Sequence, residues 1–318
     1  MRMKASVITG KRHSELVELD IPSIGDEEVL IRVKACGVCA SELHPWLEAS
    51  GRRLFGHEPV GIVEAVGPRV TGFQEGDRVT GLIHQAFAQF TKADYRSIVR
   101  VPDGLDDLEA LGEPLSCLMS GANRTPVSLG DDVALVGTGF MGLGFLQLMK
   151  LKGAGRIVAV DPREESLGHA MRFGAEEVCT PDNVKPEYKV TEWKHMEQGI
   201  PGVRVAVEAS GTESGLQLAG NMAAVHGTLS VVGYHQGGMR SVNMELWNWK
   251  ALSVINAHER RSAVHLRQME AGLKLIAAGH FNMRDLITHE FRLDEVDQAY
   301  EAIRSKPPGF IKSVIRLD

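Results

Sequence analysis

With 318 residues, 43% of them hydrophobic and 24% charged, the chain is long enough for two globular domains and shows neither a fibrous nor a disordered composition. A net charge of -6 argues against an electrostatic footprint for nucleic acid or an anionic membrane, and no stretch approaches the roughly 20 apolar residues of a membrane helix. The expected partner is a small molecule and the expected location the cytoplasm, with Cys36, Cys39, Cys117 and Cys179 as reduced thiols, since no apolar signal segment opens the chain.

Taken in chain order, the first 120 residues read as short strands broken by Gly and Pro. Val29, Ile31, Val33 and Ala35 alternate with outward positions, and GIVEAV (61–66) and DRVTGLI (from Asp77) are further strands of a β-rich, barrel-like unit. Within it, KACGVCASELHPWLEASGRRLFGHEP places Cys39 upstream of His57 and Glu58. A structural zinc site closes its shell with four tight Cys or His ligands, whereas a catalytic one draws ligands from scattered places and keeps a position open. Cys39 and His57 fit the second pattern. Cys36 and Cys39 also spell C-x-x-C, but no second pair completes a zinc ribbon and no βαβ unit precedes them.

From about residue 121 the period changes. Apolar strands VALV (133–136), IVAV (157–160), VRVAV (203–207), LSVV (229–232) and SVI (253–255) alternate with helical stretches, which predicts a parallel sheet with helices on both faces. Directly after VALV, Gly137, Gly139 and Gly142 write G-x-G-x-x-G, so Gly137, Thr138, Gly139, Phe140, Met141 and Gly142 form a candidate dinucleotide loop. Asp161 ends the next strand, where an acid can accept both ribose hydroxyls of NAD and repel a 2′-phosphate. Arg163 can soften that rejection, although it also reads as a solvated residue at a helix start; NAD is expected over NADP. In the following helix, Leu167, Ala170, Met171 and Gly174 predict one buried stripe. Near the end, Asp294 is expected to cap a helix whose buried face carries Val296, Ala299, Tyr300 and Ile303, ahead of a last strand in IKSVIRL. The expected organisation is 1–120, 121–257 and a return to the first domain over 258–318.

Together, CGVCASELH, GHEPVGIVEAVG, GDRV, EPLSC, VGTGFMGLG, VAVEASG and IKSVI resemble, in order and along essentially the whole chain, the zinc-dependent medium-chain dehydrogenase superfamily, in its polyol (sorbitol-like) and threonine dehydrogenase branch. The resemblance implies an α/β protein, a GroES-like catalytic barrel interrupted by a Rossmann domain. It implies Cys39 and His57 as zinc ligands, Glu58 beside the metal, and Glu113 of EPLSC as third ligand or holder of the zinc-bound water. Ser41 matches the hydroxyl that relays the substrate proton. His44 and Trp46 match the S-D-x-H-x-W run and imply a mixed polar pocket, and Ser210 of VAVEASG joins the cofactor set. Three departures stand out. Glu42 replaces the usual Asp and lengthens its reach. No cysteine follows GDRV in TGLIHQAFAQFTKADY, so the four-cysteine structural lobe is missing and one zinc per chain is expected. Cys117 sits where other relatives carry a zinc thiolate, so Glu113 and Cys117 compete for one coordination position; the expected shell is Cys39, His57 and Glu58 or Glu113, with Cys117 unbound.

The implied activity is hydride transfer between NAD and a secondary alcohol or ketone, on a polyol, cyclitol or sugar-like substrate, in a homodimer or homotetramer. Alternatives are a zinc-free quinone or enoyl reductase, a silent nucleotide-binding or redox-sensing protein, and a bound-NAD epimerase or lyase. In the segment GYHQGGMRSVNMELWNWKALSVINAHER, His235, Trp247, Asn256 and His258 are candidates for cofactor or substrate contacts, without an assigned mechanism.

Overall fold

The computed structural model describes residues 1–317. Eight strands come first: β1 (Arg2–Gly10), β2 (His13–Asp20), β3 (Glu28–Gly37), β4 (Arg53–Leu54), β5 (Glu58–Val66), β6 (Arg78–Gly81), β7 (Phe90–Asp94) and β8 (Ile98–Arg100). Between β3 and β4 lie a single 3₁₀ turn, Ala40–Glu42, and the short helix α1 (Leu43–Leu47). Strand β3 is the hub. Its alternate residues Val29, Ile31, Val33 and Ala35 are buried, and it pairs antiparallel with both β5 and β7. Their inward faces close a core of Val29, Ile31, Val63, Val79, Ile83, Ala93 and Ile98.

Helix α2 (Gly112–Arg124) leads into a six-stranded parallel sheet. Its strands are β9 (Asp132–Val136), β10 (Arg156–Val160), β11 (Glu177–Cys179), β12 (Val203–Glu208), β13 (Ala223–Val231) and β14 (Ser253–Asn256), in the order β11-β10-β9-β12-β13-β14. The intervening helices are α3 (Phe140–Leu151), α4 (Glu164–Arg172), α5 (Trp193–Glu197), α6 (Glu213–Met222) and α7 (Met244–Trp249). This is the doubly wound order in which two mononucleotide-binding halves meet at the first strand. Strands buried on both faces must be apolar throughout, and Val133 to Val136, Ile157 to Val160 and Val205 to Val207 are.

The chain ends with α8 (Ser262–Ala277), β15 (His289–Arg292), α9 (Val296–Ser305) and β16 (Ser313–Arg316). Strand β16 adds antiparallel to β3, extending the first sheet. Two compact units result, one built from 1–119 with 260–318 and one from 120–259.

Two details differ from the sequence expectations. In α4 the buried residues are Ser166, Leu167 and Ala170; Met171 is 52% exposed and Gly174 lies beyond the helix at φ +102°, so the apolar stripe is shorter than its spacing suggested. Ahead of α9 the residues Leu293–Glu295 form a 3₁₀ turn closed by Arg292 and Glu295, and Asp294 instead pairs with the Arg292 guanidinium. The stripe itself, Val296, Ala299, Tyr300 and Ile303, is buried as expected.

Candidate metal and cofactor sites

Sheet register brings the candidate metal ligands of the first unit together. In the β3–β5 ladder Gly37 lies opposite Glu58, so Cys39, two residues past Gly37, meets His57, one residue before Glu58. Cys39 Sγ, a His57 ring nitrogen and a Glu58 oxygen all lie within 4.8 Å of one another. A side chain at Gly37 would collide with Glu58 Oε2, so that position must lack one. Cys39 also caps the 3₁₀ turn: its sulfur accepts hydrogen bonds from Ser41 N (3.5 Å) and Ser41 Oγ (3.2 Å).

Outer contacts fix each of these groups. Glu42 Oε1 lies 2.7 Å from His57 Nδ1 and accepts from Gly56 N at 3.0 Å, while its Oε2 accepts from Tyr300 O–H at 2.8 Å. The carboxylate thereby keeps a hydrogen on Nδ1 and leaves Nε2 as the nitrogen that could ligate a metal, as the outer partner of a metal-binding histidine does. The extra methylene of Glu42 thus spans to both His57 and α9. Lys312 Nζ lies 2.7 Å from Glu58 Oε2 and donates to Val38 O at 3.2 Å. Both Lys312 and Glu58 are buried, and β16 delivers the lysine because Val314 pairs with Gly37. Burial disfavours charge on Lys312, but Glu58, with Cys39 and Glu113 nearby, outweighs it and raises the ammonium pKa.

Glu113 and Cys117 lie one turn apart at the start of α2, whose Gly112 N–H donates to Thr80 Oγ1 (3.0 Å), itself bonded to Pro59 O (2.7 Å). Burial and the neighbouring Glu58 push the Glu113 carboxyl up to about 7, against the pull of His57 and Lys312. Cys117 Sγ donates to Glu113 Oε1 at 3.8 Å, and burial, then the charges of Glu113, Cys39 and Glu58, raise its thiol far above the ordinary range. Without a cation, then, Cys117 is a protonated donor to Glu113. Burial opposes charge on His57, yet its hydrogen bonds to Cys39 and Glu42 and the charges of Glu42 and Glu58 push it up to about 12. Such a cluster of acceptors around one imidazolium has the proton affinity that a dication displaces. One thiol, one imidazole and carboxylate oxygens suit zinc with a position left open.

The remaining polyol-type residues lie apart. His44 is exposed on α1, with its carbonyl accepting from Glu48 N. Trp46 is buried, stacks on Tyr300 (centroids 5.3 Å apart) and donates from Nε1 to Asp297 Oδ1 at 2.8 Å, so it belongs to the core rather than to a polar pocket.

In the second unit the glycine loop joins β9 to α3. Gly137 adopts φ +98°, and a Cβ there would sit 2.6 Å from Ser210 N; one at Gly142 would collide with Gly137 O. A Cβ at Gly139, by contrast, would meet nothing within 4 Å. That open side, at the N-cap of α3, is where a pyrophosphate can approach the backbone, so the loop fits a dinucleotide. Thr138 is buried, and Phe140 and Met141 are half-buried on the first turn. Asp161, 5% exposed, accepts from Thr138 N (2.9 Å) through Oδ2 and from Arg163 N (3.0 Å) and Nε (3.1 Å) through Oδ1. Arg163 is therefore not simply solvated: it folds onto the acid. Ser210 is exposed, with its N and Oγ donating to Glu208 Oε1. Trp247 is core, packed with Leu229 and Val231.

The sequence reading missed Tyr300 and Lys312 as supports of Glu42 and Glu58. Tyr300 is hidden in an apolar stripe. A buried lysine inside the strand motif IKSVI was the available signal.

Two family models match the chain: an alcohol dehydrogenase GroES-like domain over residues 25–103 and a zinc-binding dehydrogenase domain over 141–278. The chain is 29% identical over 339 residues to a sorbitol dehydrogenase of Halalkalibacterium halodurans, covering 95% of this chain and 96% of that protein. It is 27% identical over 328 residues to an L-threonine 3-dehydrogenase of Bacillus licheniformis, at 91% and 92% coverage. Among solved structures it is similar to an alcohol dehydrogenase from Thermus sp. ATN1, with a TM-score of 0.84, 25% identity, and coverage of 99% of this chain and all of that one.

Proposed function

Because the chain belongs to the zinc-dependent medium-chain dehydrogenases, in the branch that holds sorbitol and threonine dehydrogenases, we propose that it oxidises the secondary alcohol of a polyol, cyclitol or sugar-like substrate, using one zinc ion and NAD. It is an oxidoreductase of the alcohol dehydrogenase type, dependent on zinc and a nicotinamide cofactor. The observation that carries the finer reading is the meeting of Cys39, His57 and Glu58 donors within 4.8 Å, backed by Glu42 and Lys312.

When bound, zinc would supply the Lewis acidity that lets an alcohol ionise near neutral pH, and NAD the hydride acceptor. The chain's own residues do the rest. Cys39, His57 and one of Glu58 and Glu113 would hold the metal. Glu42 orients the imidazole, and Lys312 balances the buried carboxylate. Ser41, half-buried and bonded to the Cys39 sulfur, is placed to pass the substrate proton outward, which is what a positioned hydroxyl relay does. Glu113, whose carboxyl burial and Glu58 push up in the metal-free protein, is the alternative carboxylate of the proposed shell. The glycine loop, Asp161, Arg163 and Ser210 take the dinucleotide, with Asp161 favouring NAD. His44, exposed on α1, is the proposed substrate-side residue. Cytoplasmic location and assembly as a homodimer or homotetramer complete the reading; among the described residues no helix is long and apolar enough to cross a membrane.

The test is metal analysis with an NADH-forming screen of alditols, inositols and amino alcohols. About one zinc per chain and net NADH formation with one substrate class are expected for a catalytic site without a structural partner. Zinc-free protein with full turnover, or product without NADH accumulation, would reject it.

A further inference from the structure

Glu208, the last residue of β12, is fully buried. Its Oε1 accepts from Ser210 N (2.7 Å), Ser210 Oγ (2.6 Å) and Gly211 N (2.8 Å), and its Oε2 accepts from His235 Nε2 at 2.8 Å. Its backbone carbonyl receives Val232 N (2.8 Å) and Gly233 N (2.9 Å). One residue therefore knits the loops leaving β12 and β13. The fit is at backbone contact: a Cβ at Gly233 would collide with Gly211 N, and one at Gly137 would sit 2.6 Å from Ser210 N. His235 is thus held on the carboxyl rim of the sheet, on a loop knitted through Glu208 and Ser210 to the glycine loop, where open α/β sheets bind their ligands.

A carboxylate only accepts, so Nε2 carries the hydrogen of the Glu208–His235 bond. In the neutral ring Nδ1 is then a bare acceptor. It is buried, and among the described residues it has no hydrogen-bond partner. An orphaned buried acceptor on a ring whose tautomer is fixed by a fully buried acid asks for a donor that the chain itself does not provide. Strands β12 to β14 form the second half of the doubly wound sheet, the half opposite the one whose acid reads the adenosine ribose. Hydroxyl and carboxamide donors are what the nicotinamide riboside carries there.

We infer that His235 is a positioning residue that accepts a hydrogen bond from the nicotinamide riboside half of the cofactor, with Glu208 fixing the ring that does so. The inference rests on the nicotinamide-cofactor reading above. Its experiment compares NADH with ADP, which lacks the whole nicotinamide riboside, by calorimetric titration of wild type, His235→Phe and His235→Asn. His235→Phe is expected to weaken NADH by about tenfold while ADP affinity stays within about twofold, the scale of one buried hydrogen bond. His235→Asn, whose side-chain oxygen can stand near Nδ1, is expected to regain part of the loss. Equal weakening of both ligands would make His235 a loop-folding residue, and unchanged NADH affinity would remove the contact; either overturns the inference. A wild type that binds neither ligand defeats the cofactor reading first. Should the variants not fold, the imidazole ¹⁵N resonances of wild-type protein decide: the His235 Nδ1 signal moves with NADH and not with ADP if the inference holds, and identically with both if it does not.

Discussion

At the scale of single residues, the candidate metal site depends on groups outside its proposed ligands. Glu42 bonds His57 Nδ1, Gly56 N and Tyr300 O–H at once, so Glu42→Gln weakens the acceptor that orients the candidate ligand ring. Its zinc affinity is expected to fall about 10–100-fold, the usual loss for an outer-shell partner, as measured by competition with a chromogenic chelator. Cys117, by contrast, is a raised-pKa thiol bonded to Glu113, and Cys117→Ser is expected to leave zinc content unchanged, with X-ray absorption fitting one sulfur per zinc. Two sulfurs would put Cys117 in the shell. Asp161 and Arg163 form a second coupled pair. Removing the acid also frees the guanidinium that folds onto it. Asp161→Ser is therefore expected to raise NADP over NAD preference about tenfold or more in kcat/KM, equivalent to ~1.4 kcal/mol, and adding Arg163→Ala should erase most of the NADP gain.

At the scale of elements, one buried amine shows how a helix end is finished. Lys250, after α7, is wholly buried and donates from Nζ to Gly220 O (2.7 Å), Asn221 O (3.2 Å) and Val190 O (3.2 Å), capping the C-terminus of α6. Lys250→Met leaves those carbonyls without their donor and is expected to destabilise by about 1–3 kcal/mol, read by denaturant titration. Burial also lowers the Lys250 pKa to about 8, below its unfolded value. Between pH 8 and roughly 10.4 the unfolded chain binds more protons at this site than the folded one, so its contribution rises with pH across that window. Wild type is expected to lose less stability than Lys250→Met on going from pH 7.5 to 9.5. Elements with a strong period were legible in sequence: VALV, IVAV, VRVAV and the α9 stripe are apolar because both faces, or one, are buried. Met171 was not, because a nine-residue helix leaves its end exposed. Nor were Lys312–Glu58 and Tyr300–Glu42, which depend on pairing between β16, β3 and α9 across more than 250 residues. Spacing can place Cys39 near His57 through a family pattern; only register explains the meeting.

At the scale of the whole molecule, the two units carry different candidate sites. The candidate metal residues lie within 1–119 and 260–318, and the candidate dinucleotide loop within 120–259. Hydrogen exchange is expected to report this division: zinc should slow exchange around 36–58 and 312–316, and NADH around 136–163 and 208–235, since each ligand stabilises the state that binds it. Protection of the glycine loop by zinc alone would contradict the assignment.

The discontinuous first unit has a consequence for how the protein is made. Its hub strand β3 and the residues Cys39, His57 and Glu58 are synthesised early, but β16 and Lys312 come last, after the whole of 120–259. That inserted stretch can fold while still tethered, and its two ends already touch, since a Cβ at Gly121 would sit 2.9 Å from Ala257 O. Until β16 has followed, therefore, the nascent first unit leaves Glu58 without the Lys312 counter-charge and β3 with an open edge. Addition of β16, rather than emergence of Cys39, His57 and Glu58, is the step that completes the support of this candidate metal site.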